Sequence, residues 1–247
     1  MNSFHWRSLC ERISSSLHAL LPGSCALCRS QSRGAVCDAC SAQYFATAAI
    51  RCRICAQRLW NPHLTWCGSC LRSPPAYDAT IVACDYLAPA DVLVKDLKFR
   101  ARLPLAEAFA HRLAQAIPTQ LPDPPGLMVA VPLSEARLAA RGFNQAAEIA
   151  RSLARRTGIP LQLNLCARIR DTQAQAGLPL NARRVNMRGA FTTLLSGNAL
   201  AQLRGQHVLV VDDVMTTGHT LNELAACLKR QGAARVTNAV FARTPFQ

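Results

Sequence analysis

The sequence contains few lysines and few acidic residues, so its net charge is positive and comes mainly from arginine. Of its 28 basic residues only 3 are Lys, and the chain has 14 Asp and Glu, which gives a formal net charge of +14. Arginine forms paired hydrogen bonds with phosphate, which lysine does not. This composition favours a polyanionic ligand, although codon bias and a solvated basic surface account for part of the excess. The sequence contains no aromatic RNA-binding motif and no helix-turn-helix pattern.

The sequence also lacks a long apolar run and a secretory signal pattern. No uninterrupted apolar stretch approaches about 18 residues, which excludes a membrane-spanning helix. Residues 4–21 are partly apolar, but Arg7, Glu11 and Arg12 interrupt them and no cleavage-type site follows. These features predict a cytoplasmic protein with no membrane span. In the cytoplasm its 12 cysteines are expected to bind metal rather than to form disulfides.

Eight of the cysteines form four C-x-x-C pairs in the first third of the chain. Each pair turns two thiolates to the same side, and two pairs complete a tetrahedral zinc site. Pairing in sequence order gives a double zinc ribbon, whereas interleaved pairing gives a cross-brace. Neither site keeps an open position, so the two zinc ions are structural and fold a segment too small for its own core. The predicted ligands are Cys25, Cys28, Cys37, Cys40, Cys52, Cys55, Cys67 and Cys70.

The remainder of the chain alternates between short apolar segments and amphipathic ones. Residues 1–22 are predicted to form a helix, residues 23–74 the double zinc ribbon, and residues 78–247 a further domain after a Pro-Pro linker. Alternating strands and helices are typical of an α/β fold with a parallel sheet, whose ligand lies at the carboxyl ends of the strands. Predicted strands cover residues 79–84, 127–131, 161–167, 208–211 and 236–242, predicted helices residues 90–99, 105–117 and 144–157, and a loop or hood residues 168–189.

A strand, an acid pair, a hydroxyl-rich loop and a helix start follow one another near residue 212. Residues 208–211 are apolar and mostly β-branched, as in a strand buried on both faces. Asp212 and Asp213 follow where that strand should end, and the next helix should begin beside Thr220, which has capping-box spacing to Glu223. Backbone N–H groups at a helix N-terminus attract phosphate, and the acids can bind sugar hydroxyls or Mg²⁺. The pattern therefore predicts a site for a ribose 5-phosphate.

Other sites share part of this pattern. A Walker B strand presents an acid to Mg²⁺, but the glycine-rich phosphate loop that accompanies it occurs nowhere in the sequence. A receiver domain ends its first strand in an acid pair, but here only residues 214–247 remain, too few for the other strands of that fold. A strand that simply ends in two acids is the plainest alternative, and it leaves the hydroxyl loop unexplained.

Residues 210–220, V-V-D-D-V-x-T-T-G-x-T, resemble the PRPP-binding motif of the type I phosphoribosyltransferases. Three further blocks precede it: the cysteine pairs of residues 25–70, V-P-L-x-x-x-R-x-x-x-R-G-F-N-Q at residues 131–145, and R-x-T-x-x-Q-x-x-L at residues 170–178. With all four in this order, the chain resembles the competence protein F (ComF) family of phosphoribosyltransferase-like proteins over nearly its whole length.

The resemblance implies an α/β fold in which a type I phosphoribosyltransferase sheet, flanked by helices, follows a small N-terminal zinc-ribbon domain. It implies that Asp212 and Asp213 hold the ribose and form the catalytic pair, that the loop wraps the 5′-phosphate, and that Mg²⁺ accompanies PRPP. His219 is given no role beyond its backbone N–H. The implied substrate-binding residues are Thr216, Thr217, Gly218, His219, Thr220, Arg137, Arg141, Arg170 and Gln175.

The resemblance leaves three functions open. An enzyme would displace pyrophosphate from C1 of the ribose of PRPP, with an acceptor that the sequence does not specify. An accessory of DNA uptake would bind single-stranded DNA and work with a helicase-type protein partner. A PRPP sensor would bind the same ligand without turnover.

Overall fold

The computed structural model of the chain describes residues 23–45, 49–121, 123–169, 189–194 and 203–245, apart from the side chains of residues 118–120. The chain divides into two compact units, Met1–Ala46 and Thr47–Gln247. One group of four cysteines falls in each unit. The helix predicted for residues 1–22 lies outside the described residues.

The described part of the first unit is a small zinc-ribbon fold. Strands β1 (Gly23–Ser24) and β2 (Gln31–Ser32) pair antiparallel, and helix α1 (Asp38–Phe45) follows. The first C-x-x-C turn lies between the two strands, and the second overlaps the start of α1. Cys25, Cys40 and Phe45 are buried and form most of this small core.

The second unit contains the other cysteine group, a parallel sheet and its helices. Among the described helices, even α4 lacks the length and apolarity needed to cross a membrane. The elements in chain order are α2 (Gly68–Arg72), β3 (Ala79–Asp85), α3 (Ala90–Arg100), α4 (Pro104–Gln120), β4 (Leu127–Ala130), α5 (Glu135–Arg141), α6 (Gln145–Thr157), β5 (Cys166–Arg168), β6 (Phe191–Thr193), β7 (His207–Met215), α7 (His219–Arg230) and β8 (Arg235–Arg243).

Strands β3, β8, β7 and β4 form one parallel sheet in that order. Val211 of β7 lies between Ala130 of β4 and Ala239 of β8, and Ala239 pairs in turn with Ile81 of β3. All of these residues are buried, as expected for a sheet covered on both faces. The carboxyl ends of all four strands therefore meet at one edge of the sheet.

Helices cover both faces of the sheet. Helices α4 and α6 pack on each other; α4 also contacts β3 and β8, while α6 contacts β4 and β7. Phe109 of α4 stacks on Phe241 of β8, which joins that helix layer to the sheet. Helix α7 returns the chain from β7 to β8, in the direction opposite to the crossover from β3 to β4. Since such crossovers are right-handed, α7 lies on the other face.

The strand predicted for residues 208–211 is longer than its apolar run. Strand β7 continues through both acids to Met215, because β8 extends far enough to pair with Val214 and Met215. The acids therefore lie within a regular strand, in which successive side chains point to opposite faces.

The strand predicted for residues 161–167 is wrong as a single element. Leu161 makes an isolated parallel bridge to Met128, and a turn at residues 163–164 then interrupts the strand. Only Cys166–Arg168 forms a strand, β5, which pairs antiparallel with β6 outside the main sheet. The alternating apolar pattern predicted the extended backbone but not the turn that divides it.

Candidate phosphate and ribose site

The cysteines form two groups of four that pair in sequence order. Each group brings its sulfur atoms within 4.8 Å of one another, and the interleaved alternative is excluded. The first group contains Cys25, Cys28, Cys37 and Cys40, and the second contains Cys52, Cys55, Cys67 and Cys70. The two groups are built alike: in each, the backbone N–H of the third cysteine donates to the sulfur of the first, at 3.4 Å in the first group and 3.3 Å in the second.

The chemistry of these groups fits zinc. A hydrogen bond from Cys55 lowers the pKa of the Cys52 thiol to about 4, whereas burial raises the pKa of Cys70 to about 12. In the first group, burial acts to raise the pKa of Cys25, but backbone N–H groups lower it to about 6. Burial raises the pKa of Cys40 to about 12. Four thiolates this close repel one another unless a cation binds, and a thiol that binds Zn²⁺ loses its proton.

The acid pair lies at the carboxyl end of β7, and its two members have different surroundings. Asp213 is only 2% exposed, and its Oδ2 atom lies 2.6 Å from the ammonium of Lys98 at the end of α3. Its Oδ1 atom accepts a long hydrogen bond of 3.5 Å from the amide of Gln145. Asp212 is partly exposed and accepts a hydrogen bond from the backbone N–H of Asp213. Asp213 therefore has a positive partner in the protein and Asp212 has none among the described ion pairs.

The surroundings of Asp212 stabilise the ionised form of its carboxyl poorly. Burial raises its pKa well above the ordinary value, and the neighbouring charge of Asp213 acts in the same direction. Lys98 and the Asp213 N–H oppose the shift without cancelling it. A carboxylate in this condition is stabilised by a cation or by hydroxyl donors. These are the groups that Mg²⁺ and a ribose would supply.

The predicted arginine block also reaches the acids. Arg141 donates to the side chain of Gln145 at 2.6 Å, and Gln145 donates in turn to Asp213. Burial lowers the pKa of Arg141, an effect that the positive charge of Arg137 reinforces and Asp213 opposes. Arg137 and Arg141 lie on the short helix α5, which borders the acid pair. Arg170 and Gln175 lie outside the described residues.

The loop after β7 offers backbone N–H groups. Within the described part of the chain, no protein acceptor receives a hydrogen bond from the amides of Thr216, Thr217, Gly218 or Thr220. Helix α7 begins at His219 with Gly218 as its N-cap, so the predicted capping box at Thr220 is wrong. Its acid has another partner: Glu223 accepts a hydrogen bond from the N–H of Gly189, at 3.3 Å. The helix start thus lies closer to the acid pair than the sequence predicted, and the amides of Gly218 and Thr220 beside it are available to an anion.

Gly218 is required by both backbone conformation and space. Its φ angle is +81°, in the left-handed region that favours glycine. A Cβ atom added there would lie 2.6 Å from the methyl carbon of Met215 and 3.1 Å from the hydroxyl oxygen of Tyr77. The loop is therefore packed closely against its own strand and against the segment that precedes β3.

The sequence did not single out several residues that the fold brings to the site. Lys98, Gln145 and Arg243 come from α3, α6 and β8, and Tyr77 comes from the segment before β3. Gln145 lay within a recognised motif but had no assigned role, and Lys98 lay in no motif. Buried Arg243, 2% exposed near the C-terminus, had no local signal, because its partners lie far away in sequence.

Two family models match the two parts of the chain. A family model described as Phosphoribosyl transferase domain matches residues 138–246, and one described as Double zinc ribbon domain matches residues 16–71. Among solved structures, the purine phosphoribosyltransferase from Pyrococcus horikoshii Ot3 is 17% identical, with a TM-score of 0.35 over 56% of this chain and 82% of that one.

Curated relatives extend the similarity to nearly the full length. The DNA utilization protein YhgH of Salmonella typhi is 34% identical over 232 residues, which cover 91% of this chain and 98% of that protein. Competence protein F of Haemophilus influenzae is 30% identical over 243 residues, covering 96% of each chain. Similarity at this level, together with both family models in the order of the cysteine groups and the sheet, shows that the chain belongs to the competence protein F family of phosphoribosyltransferase-like proteins with an N-terminal double zinc ribbon.

Proposed function

We propose that this protein binds PRPP, or a related ribose 5-phosphate, together with Mg²⁺ at the carboxyl end of β7. One observation supports the proposal most strongly: four backbone amides without described acceptors follow, within a few residues, an acid that has no partner among the described ion pairs. A ribose 5-phosphate has an anion at one end and vicinal hydroxyls near the other. The proposal places the protein in the cytoplasm, where reduced cysteines can hold zinc.

The 5′-phosphate would be held by the amides of Thr216, Thr217, Gly218 and Thr220. Amides at a helix N-terminus point along the helix axis, where the helix dipole also favours negative charge. The hydroxyls of Thr216, Thr217 and Thr220 add donors at the same place. Because Gly218 has no Cβ, the loop can pack closely on Met215 and Tyr77, which holds its amides in place.

The ribose and the diphosphate would lie on the side of the loop next to Asp212 and Asp213. Asp212 is the better partner for ribose hydroxyls or Mg²⁺, because Asp213 already has Lys98 at 2.6 Å. Mg²⁺ prefers oxygen ligands and commonly binds one or two carboxylates and the phosphates of its substrate. Arg137 and Arg141 lie on α5 beside the acids and would neutralise the diphosphate.

Calorimetric titration with PRPP tests the binding proposal. We expect binding in the presence of Mg²⁺ and a loss of affinity of at least about tenfold in the Asp212→Asn, Asp213→Asn double variant, because charged hydrogen bonds are lost. Asp91→Asn is a matched control, since it removes a carboxylate that pairs with Lys95 on the surface of α3. Absence of binding by the wild-type protein with Mg²⁺, or unchanged affinity in the double variant, would refute the proposal.

Turnover is a separate question from binding. If the protein transfers the phosphoribosyl group, an acceptor atom bonds to C1 of the ribose as the bond from C1 to pyrophosphate breaks. Pyrophosphate release above background with a panel of nucleobases would identify an enzyme. PRPP binding without release would identify a sensor.

One surface feature favours single-stranded DNA as a second ligand. Phe99 is 72% exposed, and the guanidinium of Arg141 lies 5.5 Å from the centre of its ring. The adjacent residue, Lys98, binds Asp213, so this aromatic ring borders the proposed ribose site. An exposed ring beside arginine can stack a base of any sequence, at about 1–3 kcal/mol per base.

Fluorescence anisotropy with a labelled oligonucleotide tests this second function. We expect an affinity that falls steeply with salt, because phosphate binding releases counterions. Phe99→Ala should weaken binding by about fivefold or more. Leu194→Ala, which truncates another exposed apolar side chain, is the control. Binding that is undetectable, insensitive to salt or equal in the two variants would contradict a DNA-binding role, and a helicase-type partner would then be the remaining link to DNA uptake.

A further inference from the structure

A buried arginine joins the second cysteine group to the loop of residues 216–220, called here the phosphate loop. Arg243 ends β8, and its side chain points between the zinc ribbon and the end of β7. Its Nε atom donates to the carbonyl of Cys55 at 3.0 Å. Its Nη1 atom donates to the carbonyls of Met215 at 3.2 Å and Thr244 at 2.8 Å, and to that of Thr216. One guanidinium thus holds a zinc-ligand residue and the first residues of the phosphate loop.

The C-x-x-C turn of Cys52 and Cys55 fixes the direction of the Cys55 carbonyl. Cys55 is the second cysteine of a C-x-x-C turn, and the next residue, Ala56, has the left-handed φ of +56°. The N–H of Ala56 donates to the carbonyl of Cys52, which closes the turn at 2.8 Å. Zinc binding to the sulfurs of Cys52 and Cys55 would hold this turn in place. Zinc thereby also fixes the acceptor for Arg243.

The chain that leaves the ribbon contacts the loop from a second direction. The N–H of Ala76 donates to the side chain of Asn222 in the first turns of α7, at 2.7 Å. Tyr77, which is buried, places its hydroxyl beside Gly218. The ribbon and its outgoing segment therefore border the phosphate loop on two sides, and the loop has little room to relax unless they move.

We propose that Arg243 is a positioning residue that makes the shape of the phosphate loop depend on zinc in the second ribbon. Its planar guanidinium carries several donors in a fixed fork, which allows one side chain to bind carbonyls on both sides. Loss of zinc from this ribbon releases the Cys55 carbonyl, Arg243 moves, and the carbonyls of Met215 and Thr216 lose their common partner. The first ribbon lies in the other compact unit and serves as the comparison. The consequence for ligand affinity rests on the proposed function; the consequence for the loop does not.

The methyl groups of methionine provide a probe that needs no ligand. The sequence contains only 4 methionines. The Met215 methyl carbon lies against Gly218, whereas Met128 is buried in β4 and serves as an internal control. With ¹³C-methyl methionine, NMR reports the loop and the sheet in a single spectrum.

Two matched pairs of variants test the coupling in the full-length protein. Cys67→Ser and Cys37→Ser each remove the third ligand of one group, and both cysteines are partly exposed. Arg243→Lys and Arg235→Lys make the same change at opposite ends of β8. We expect Cys67→Ser and Arg243→Lys to shift the Met215 signal, and their partners to leave it in place. In a protein that already carries Arg243→Lys, adding Cys67→Ser should produce a much smaller further shift, because the Arg243 link is already broken and only the segment of Ala76 and Tyr77 still joins the ribbon to the loop.

Several results would overturn the proposal. One is an unchanged Met215 signal in Cys67→Ser protein that has lost one zinc, and another is an equal shift with and without Arg243→Lys. If Cys67→Ser also disturbs Met128, the decision rests on zinc-loaded Arg243→Lys, in which Met215 must shift while Met128 does not.

Titration with PRPP and Mg²⁺ separates this proposal from the proposed function. We expect Cys67→Ser and Arg243→Lys to bind about tenfold more weakly than the wild-type protein. Wild-type protein that binds no PRPP, yet shows the coupled Met215 shifts, would refute the ligand and retain the coupling. Wild-type affinity in both variants would refute any effect of the coupling on the ligand.

Discussion

At the scale of single residues, the two acids of the pair have different electrostatic surroundings. Asp213 is buried and neutralised by Lys98, and the Gln145 amide links it to Arg141. Asp212 keeps a pKa raised first by burial and then by its neighbour. Burying a charge without a partner lowers stability, and a site that binds a cation often bears this cost before its ligand arrives.

This asymmetry predicts that Asp212→Asn stabilises the protein while it weakens PRPP binding. A carboxyl whose pKa is raised by folding favours the folded state at low pH, and that contribution is lost as the pH rises through the folded pKa. Asparagine cannot ionise but can still accept from the Asp213 N–H. Thermal unfolding at pH 7 should therefore give a higher Tm for the variant, by about 2–4 °C for each kcal/mol recovered. The difference should disappear below pH about 4.

Lys98→Met should have the opposite effect to Asp212→Asn and lower the Tm at pH 7. It leaves Asp213 buried without its cation and removes the charge that restrains the Asp212 pKa. Breaking a buried pair costs up to about 3–5 kcal/mol, and less here because the Lys98 side chain is 22% exposed.

A Tm at pH 7 that is unchanged or lower in Asp212→Asn would contradict the assignment of an unbalanced charge to that residue.

The sequence located the strand, acids and loop of the candidate site, but it did not indicate which distant residues contact them. Asp212, Asp213 and the threonine loop were recognised because strand, acids, loop and helix are contiguous. Lys98, Tyr77 and Arg243 were missed, because each contributes through a contact across a large separation in sequence. A pattern that is local in the chain can reveal a loop, but it cannot show which distant side chain neutralises or supports it.

At the scale of elements, the strand, loop and helix of β7 and α7 form the central unit of the site. Their order was predictable from hydrophobic pattern. Their boundaries were not, since β7 runs past its acids and α7 begins at His219 rather than beside Thr220. Pairing with β8 extends the strand, and Gly218 rather than a threonine begins the helix. Both outcomes depend on neighbours that a local pattern does not specify.

Gly218→Ala should disrupt this unit in two ways. The left-handed backbone costs a non-glycine residue about 1–2 kcal/mol, and the added methyl group would contact Met215 and Tyr77 at distances that force a shift. Gly158→Ala is the matched control, because Gly158 has a φ of +72° but nothing within 4 Å of its added Cβ. Both variants should lower the Tm, and only Gly218→Ala should weaken PRPP binding in calorimetry. Equal affinities in the two variants would show that the loop tolerates displacement.

At the scale of the whole molecule, the two zinc ribbons belong to different compact units, although each is built from two C-x-x-C pairs. The second belongs to the same compact unit as the sheet, and Arg51 of that unit binds Asp85 at the end of β3, at 2.9 Å. Arg58 binds the same carboxylate. The spacing of the cysteines predicted two equivalent sites and gave no sign that one of them borders the phosphate loop.

Removal of residues 1–46 should therefore leave a folded protein that binds PRPP. The remaining unit, residues 47–247, keeps the second cysteine group, its ion pairs to β3 and the complete sheet. Zinc content should fall from two ions to one per chain in a colorimetric assay after denaturation. Affinity for PRPP should equal that of the full-length protein. A folded truncated protein that has lost PRPP binding would show that the first unit contributes to the site.

The central claim is that one loop binds the phosphate of a sugar whose hydroxyls meet the neighbouring acid pair. A crystal structure with PRPP and Mg²⁺ tests it most directly. The 5′-phosphate should lie on the amides of residues 216–220, with the ribose hydroxyls at Asp212 and Asp213 and the diphosphate toward Arg137 and Arg141. Ligand bound elsewhere on the protein, or a loop whose amides donate to protein groups in its presence, would contradict the claim.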